Sequence, residues 1–171
     1  MFKHVLVPLD GSEFSEKALI PARQVLAPDG TLILLMVIDL PHINFATLYD
    51  MPITSDAKDG DDGVSSGRKN AQAYLRRVAA AQPLTPTVTL QIKVCIGDPA
   101  SVISALARAL QVDAIVMSTH GRSGLGRLMF GSVTQRVLAL TLCPVIVVPS
   151  QIVVPMQSVL TVADAVPSPS L

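Results

Sequence analysis

The sequence predicts an α/β fold with an open five-stranded parallel sheet, strand order 3-2-1-4-5, and helices on both faces. Short apolar runs alternate with helical stretches along the chain, which indicates parallel strands joined by right-handed crossovers. The runs are continuously apolar, as in strands that are buried on both faces. With 171 residues, the chain is long enough for one such domain and too short for two comfortable ones.

The predicted elements follow in order. The five strands are bounded by turn or cap residues and comprise Val5–Leu9, Leu32–Ile38, Val88–Val94, Ala114–Met117 and Val145–Val148. The four helices lie between them, at Glu13–Leu26, about Ser65–Ala81, Pro99–Leu110 and Ser132–Leu142. The third helix is marked best, because Asp98 is a preferred N-cap and Pro99 suits the first helical position. Ser132, with Gln135 three residues later, has the form of a capping box and is the predicted N-cap of the last helix.

Two segments depart from this alternation, so the α/β domain is predicted to span residues 1–149. Residues 39–63, rich in aspartate with prolines and glycines, are predicted to form a long surface loop. The Asp59–Gly63 stretch resembles a calcium loop, but it lacks the EF-hand spacing and terminal Glu, so a solvated loop is the favoured interpretation. Residues 150–171 form a Pro- and Ser-containing tail whose apolar pieces are expected along a sheet edge or a neighbouring subunit.

Charge and hydropathy narrow the possible partners. Lys and Arg total 13 and Asp and Glu total 13, so nothing attracts the chain generally to nucleic acid or an anionic membrane. The longest apolar run, Leu32–Ile38, is too short to span a bilayer. Pro8 comes too early for a signal peptide, so a cytoplasmic location is predicted.

Cys95 and Cys143 are expected to be reduced thiols, and no Cys/His cluster indicates zinc.

The segment from Ser118 to Gln135 has the composition of a phosphate-binding loop. It leads from the fourth strand to the last helix through four glycines, Gly121, Gly124, Gly126 and Gly131. Glycines allow positive φ and a close approach to a ligand, and the amides of a helix N-terminus favour an anion. Arg122 and Arg127 add positive charge nearby. The alternative is a mobile glycine loop with solvated arginines.

A second polar turn, Asp10-Gly11-Ser12, follows the first strand. In a 3-2-1-4-5 sheet, ligands bind where the strand order reverses, between strands one and four, so both turns are predicted to share one site. Asp10 can accept hydrogen bonds from ribose hydroxyls; alternatively it caps the first helix, although Ser12 is already a plausible N-cap. His120 suggests catalysis, but no nucleophile and base surround it, so a backbone or solvent contact is favoured.

Two nucleotide-binding classes are disfavoured by absent motifs. The chain has no Gly-x-x-x-x-Gly-Lys-Ser/Thr, so it lacks the lysine and the magnesium-binding hydroxyl of a P-loop ATPase. Gly124-x-Gly126 is followed by Arg127-Leu128-Met129, so the dinucleotide fingerprint of nicotinamide dehydrogenases also fails.

Four ordered motifs resemble those of the universal stress protein family. They are VLVPLDGSEFSEKAL near the start, GDPASVI at 97–103, THGRSGLGRLMFGSVTQRVL, and CPVIVVP at 143–149. The resemblance covers essentially residues 1–149. It implies a Rossmann-like, adenine nucleotide alpha hydrolase-like fold and a homodimer that forms through the last strand, Val145–Val148.

The ATP-binding branch of that family looks like Gly-x-x-Gly, nine residues, then Gly-Ser/Thr. Gly121, Gly131 and Ser132 match this pattern, whereas Ser118 occupies the first glycine position. By the resemblance, ATP, AMP or ADP, with or without Mg, would meet Asp10 at the ribose, backbone at Leu9 and Val37 at adenine, and the glycine segment at the phosphates. The implied binding residues are Pro8, Leu9, Asp10, Val37, Met117, Ser118, Gly121, Arg122, Gly131, Ser132, Val133 and Thr134.

Two functional classes follow from this resemblance. The first is a dimeric, nucleotide-binding stress-response regulator that switches conformation or partner, with slow or no ATP hydrolysis because no general base or metal cage is apparent. The second is a nucleotide-free dimeric protein-interaction module of the same fold. A true nucleotide hydrolase is a weaker third idea. No catalytic or metal-binding residue is assigned.

Overall fold

A computed structural model describes residues 1–39, 59–119 and 131–149, with only the backbone of 59–64. Its elements are β1 (Phe2–Leu9), α1 (Glu13–Glu16), α2 (Leu19–Val25), β2 (Leu26–Ile38), α3 (Asp59–Ala80), β3 (Thr89–Ile96), α4 (Pro99–Ala109), β4 (Ala114–Ser118), α5 (Ser132–Leu140) and β5 (Val145–Val148). All pairings are parallel and the order is β3-β2-β1-β4-β5, so the predicted fold class and strand order are confirmed.

Each face of the sheet carries its own apolar core, because successive side chains of a strand point to opposite faces. The α1, α2 and α3 side buries Val5, Val7, Leu9, Ala18, Leu19, Ala22, Leu26, Leu32, Leu34, Leu75, Val78 and Val116. The α4 and α5 side buries Leu6, Ile33, Leu35, Ala100, Ile103, Ala107, Val112, Ile115, Met117 and Val137. The central strands are therefore covered on both faces, as their continuous apolar runs predict.

The first predicted helix, Glu13–Leu26, is divided into α1 and α2. The amide of Lys17 closes α1 by donating to the carbonyls of Phe14 and Ser15. Pro21 lies four residues further on, and a proline there has no N–H for the Lys17 carbonyl and crowds it sterically. One continuous helix is thus excluded, and the chain turns between Lys17 and Leu19 instead.

The second strand begins at Leu26, not at Leu32. Phe2 of β1 pairs with Leu26, and His4 pairs with Thr31, so the four residues 27–30 of β2 lie opposite the single residue Lys3 of β1. Pro28, Asp29 and Gly30 form this irregularity within the strand. The sequence predicts instead that these residues form a turn before the strand.

The helix after the predicted surface loop also starts earlier than expected. It begins at Asp59 rather than near Ser65, so residues 59–63 of the predicted 39–63 loop are helical. Aspartates in a first turn are stabilised by the positive end of the helix dipole, which favours this earlier start. The remainder of the loop from residue 40, and the predicted tail at 150–171, lie outside the described residues. Within the described ranges, no helix is long and apolar enough to cross a membrane.

The last helix starts at the predicted residue, but Ser132 is its first helical residue and Gly131 its N-cap. The first intrahelical bond runs from the Gln135 amide to the Gly131 carbonyl, at 3.0 Å. Ser132 is therefore the first helical residue and Gln135 the fourth, not the N-cap and the third, so the predicted capping box is wrong. By contrast, Asp98 caps α4 as predicted, accepting a bond from the Ser101 amide at 3.0 Å, and Pro99 opens the helix.

The α4 cap also binds α5. Arg136 donates two hydrogen bonds to Asp98, Nη1 to Oδ1 at 2.6 Å and Nη2 to Oδ2 at 2.8 Å. The bonds from Arg136 and then Ser101 lower the pKa of Asp98 to about 2. Because both side chains are substantially exposed, solvent screens their attraction. The pair chiefly fixes the orientation of the two helix starts.

We expect Gly30→Ala to destabilise the fold by about 1–3 kcal/mol, because its new Cβ would overpack the β2 irregularity. That atom would lie 2.8 Å from Leu26 Cδ1 and 2.9 Å from the Lys3 carbonyl oxygen. Gly67→Ala in α3 is the matched control: its Cβ would meet only Ile38 Cδ1 at 3.9 Å, and it should stabilise by about 0.4–1 kcal/mol. Urea unfolding of both variants measures the contrast, and equal midpoints would contradict it.

We expect Asp98→Asn to lose a pH-dependent part of the wild-type stability. The native pKa of Asp98, about 2, is below its usual value of 3.8. Its contribution is therefore fully present above pH 3.8 and lost as the pH falls toward 2. Urea unfolding at several pH values should show a difference between wild type and variant that shrinks across this window. A difference independent of pH would contradict it. Asp98→Ala removes the cap as well and should cost about 1 kcal/mol more.

Candidate functional site

The two central strands separate toward their carboxyl ends. β1 and β4 pair only at Val5 with Ala114 and at Leu6 with Ile115. In contrast, β1 stays paired with β2 as far as Leu9, and β4 with β5 as far as Ser118. The sheet therefore forks where its strand order reverses, which is where ligands bind in open α/β sheets.

Pro8 explains where the fork begins. The His4 carbonyl accepts a bond from the Asp113 amide at 2.9 Å, so residue 4 of β1 faces β4. Alternate residues of a strand face the same neighbour, so Leu6 and Pro8 face β4 as well. Proline has no N–H to donate, and the β1–β4 ladder ends before it.

A cavity of about 280 Å³ occupies this fork. The described residues that line it are Pro8, Leu9, Asp10, Ser15, Val37, Pro99, Ile103, Met117, Ser118, Thr119, Gly131, Ser132, Val133 and Thr134. They come from the ends of three strands and the starts of three helices. The walls are largely apolar with a few convergent polar groups, as is usual for small-molecule sites, and the volume is near the lower end of their range.

The turn after β1 presents Asp10 to the cavity. Asp10 Oδ1 accepts bonds from the Ser12 amide at 3.0 Å and the Ser12 hydroxyl at 2.6 Å, which forms an Asx turn. Gly11, at φ +88°, supplies the left-handed backbone that this turn needs. Ser12 also caps α1, accepting from the Ser15 amide at 3.2 Å, as predicted. Asp10 is the only ionisable side chain among the described residues that line the cavity.

The opposite wall is the N-terminus of α5. The Gly131 amide donates to the Thr119 carbonyl at 2.7 Å, and a Cβ at Gly131 would lie 2.9 Å from that oxygen. Gly131 has φ −56°, so this position requires close approach rather than positive φ. Because the N-cap is a glycine, no N-cap side chain accepts from the helix amides. The amides of Ser132, Val133 and Thr134 precede the first intrahelical bond and are the groups that an anion would use.

Ser118 and Thr134 join β4 to α5. The Thr134 hydroxyl, which is buried, donates to the Ser118 carbonyl at 3.1 Å. Ser118 is the last residue of β4, is 8% exposed, and has no positive φ. Serine in the first motif-glycine position therefore causes no backbone strain.

The structure brings together ten of the twelve binding residues that the sequence predicts: Pro8, Leu9, Asp10, Val37, Met117, Ser118, Gly131, Ser132, Val133 and Thr134. Gly121 and Arg122 lie outside the described residues, as do His120, Gly124, Gly126 and Arg127. The sequence interpretation missed four lining residues, Ser15, Pro99, Ile103 and Thr119. Pro99 could have been found, because a helix that follows a parallel strand starts at the carboxyl edge of the sheet.

Cys95 and Cys143 are free thiols and are half-buried. Burial raises the pKa of the Cys143 thiol. Neither cysteine lines the cavity. The described residues contain no group of three His, Cys, Asp or Glu side chains able to hold a metal ion.

Comparison with known proteins gives a family. The model of the Universal stress protein family matches residues 1–149. Universal stress protein MJ0531 of Methanocaldococcus jannaschii is 27% identical over 152 residues, covering 86% of this chain and 82% of that protein.

Solved structures share the fold. The structure of protein MJ0577 from M. jannaschii has 26% sequence identity and a TM-score of 0.64, covering 87% of this chain and 96% of that one. A universal stress protein solved in complex with cAMP has 22% identity and a TM-score of 0.56, covering 88% and 98% of the two chains. The four-motif resemblance is confirmed by a family model that fits residues 1–149, and this chain belongs to the universal stress protein family.

Proposed function

We propose that this chain binds an adenine nucleotide, ATP, ADP or AMP, in the forked cavity and acts as a dimeric stress-response regulator that switches with occupancy. One observation carries the proposal: the cavity has the Asp10 carboxylate on one wall and, on the other, the N-terminus of α5, whose N-cap Gly131 has no side chain. A nucleotide has the complementary pair of groups, ribose hydroxyls at one end and phosphates at the other.

The adenosine end belongs with β1 and β2. Carboxylates have about four acceptor sites, so Asp10 can bind ribose hydroxyls in addition to its two bonds from Ser12. The backbone at Leu9 and Val37 provides polar groups for the adenine edge. Met117 and Ile103 supply apolar surface for the base.

The phosphate end belongs with α5. The amides of Ser132, Val133 and Thr134 are at the start of α5, where the helix dipole favours negative charge. Gly131 allows α5 to lie against the end of β4, and Gly121 and Arg122 are proposed to complete the phosphate contacts. Magnesium would be held by the phosphates of ATP rather than by a cage among the described residues. A related protein of the same fold was solved with cAMP, which supports adenine nucleotides as the ligand class.

Hydrolysis is proposed to be slow or absent. Asp10 is the one ionisable group among the described lining residues, and Ser12 engages it with two hydrogen bonds. A carboxylate used for binding in this way is not placed to activate a water for attack on a phosphate. Regulation by occupancy fits such a site better than turnover.

The homodimer is proposed to form through β5. This four-residue strand is paired with β4, and all four of its residues are half-buried. Among the described residues, no strand pairs with its other edge, and a second copy can satisfy the backbone groups there. Exposed leucines lie on the helix before it and in the connection, Leu138, Leu140 and Leu142 at 42%, 45% and 97% exposure. They favour protein contact in this region, and would serve the alternative of a nucleotide-free interaction module.

We expect purified protein to release an adenine nucleotide on denaturation, and to bind ATP in calorimetry. Asp10→Ala should weaken ATP binding by about tenfold or more, because a hydrogen bond to a charged group is lost. Gly131→Val should weaken it as well, since the added atoms displace α5 from the Thr119 carbonyl.

Gly67→Ala is the matched control for Gly131→Val, because its Cβ meets no crowded atom and no described side chain of α3 lines the cavity. Its ATP affinity should equal that of wild type. Unchanged titrations for both Asp10→Ala and Gly131→Val would exclude this site. A wild type that neither releases nor binds nucleotide would favour the interaction module.

We expect Val147→Pro to convert the dimer to a monomer without unfolding it. The Thr119 amide donates to the Val148 carbonyl, so the backbone groups of Val148 point toward β4 and those of Val147 point toward the open edge. Proline there removes only an outward N–H, which edge strands tolerate. Light scattering coupled to size exclusion should report the monomer mass, with circular dichroism unchanged. A folded variant that stays dimeric would place the interface elsewhere.

A further inference from the structure

A polar cluster behind the cavity links helix α3 to the Asp10 turn. Tyr74 and Arg77, both on α3, donate hydrogen bonds to the same oxygen, Glu16 Oε1, at 3.0 and 3.1 Å. The Arg77 guanidinium also lies 5.3 Å from the centre of the Tyr74 ring. Glu16 is the last residue of α1 and the neighbour of Ser15, which lines the cavity.

Ser15 continues the connection to Asp10. It is 4% exposed, its hydroxyl donates to the Ser12 carbonyl at 2.8 Å, and the Asp10 amide donates to the same hydroxyl at 3.3 Å. The backbone of Asp10 is thus held by the side chain of a residue that lines the cavity and directly precedes Glu16.

Tyr74 stays a hydrogen-bond donor throughout the physiological pH range. Burial, and then the Glu16 carboxylate, raise the pKa of its hydroxyl. The ring packs against the core on the α1–α3 face. Its hydroxyl is therefore, with the Arg77 guanidinium, a group through which α3 holds α1 in a fixed position.

We infer that Tyr74 is a positioning residue for the ribose end of the proposed nucleotide site, acting through Glu16 and Ser15 on the turn that carries Asp10. This inference rests on the proposed function and extends it. It also makes α3 responsive to occupancy, because coupling between two parts of a protein is reciprocal. A nucleotide that fixes Asp10 strengthens the contact between α1 and α3, and that surface is then the part of the protein that reports the bound state.

Tyr74→Phe tests the inference, because it removes the hydroxyl and keeps the packed ring. ATP and 2′,3′-dideoxy-ATP are titrated into wild type and variant by calorimetry. The Kd for ATP should rise about 3- to 10-fold, as for loss of one hydrogen bond. The Kd for the dideoxy nucleotide should not change, since it has no ribose hydroxyl for Asp10 to bind. In the Asp10→Ala background, Tyr74→Phe should have no further effect.

Conservative and control variants separate positioning from general stability. Glu16→Gln keeps an acceptor for the Tyr74 hydroxyl and should bind ATP more tightly than Glu16→Ala. Arg76→Gln, on the exposed side of α3, is a control variant and should leave ATP binding unchanged. Amide exchange at residues 10–16 should be faster in nucleotide-free Tyr74→Phe than in wild type.

Four results would overturn the inference. Equal loss of affinity for both nucleotides, or additive losses in the double variant, would show that Tyr74 affects only overall stability. Unchanged ATP binding by Tyr74→Phe, with normal binding by wild type, would reject the positioning role and leave the proposed function standing. A wild type that binds neither nucleotide would reject both together.

Discussion

The separation of β1 from β4 is the feature on which the rest of the site depends. Because Pro8 has no amide hydrogen, these strands part after two paired positions. Backbone groups beyond that point must find other partners. Ser15 accepts from the Asp10 amide, Gly131 donates to the Thr119 carbonyl, and Thr134 donates to the Ser118 carbonyl. The bonds that compensate for the fork thereby attach α1 and α5 to its two sides.

The strand order and both core faces could be predicted because they depend on patterns that are present in short stretches of the sequence. Continuously apolar runs identify strands buried on both faces, and Asp98-Pro99 identifies a helix start. The structure differs from the prediction where a contact between distant parts of the chain determines the local conformation. The irregularity at Gly30 depends on β1 lying beside β2, so the run from Pro28 to Gly30 looks like a turn in the sequence alone. The Gly131 cap depends on the end of β4, which no sequence window contains.

The residues that line the cavity also divide into those that could be predicted from the sequence and those that could not. Its members on strand exits and in the glycine motif were predictable, since topology brings the ends of β1 and β4 together. Ser15 and Ile103 were not recognised, because helical spacing assigns such residues to a packed face and does not distinguish the end of a helix that borders a cavity. The cluster of Glu16, Tyr74 and Arg77 joins residues about 60 positions apart in the sequence, and no local signal relates them.

The bond between Gly131 and Thr119 closes the base of the segment that joins β4 to α5. The eleven residues 120–130 begin after Thr119 and end before Gly131, so both ends of the segment are at this bond. Their two ends are held together by the domain itself, whatever lies between them. Closing a longer segment over a fixed base costs only about 0.6 kcal/mol for each doubling of its length. The segment can therefore accept insertions without disturbing the sheet, and both residues that flank it, Thr119 and Gly131, line the cavity.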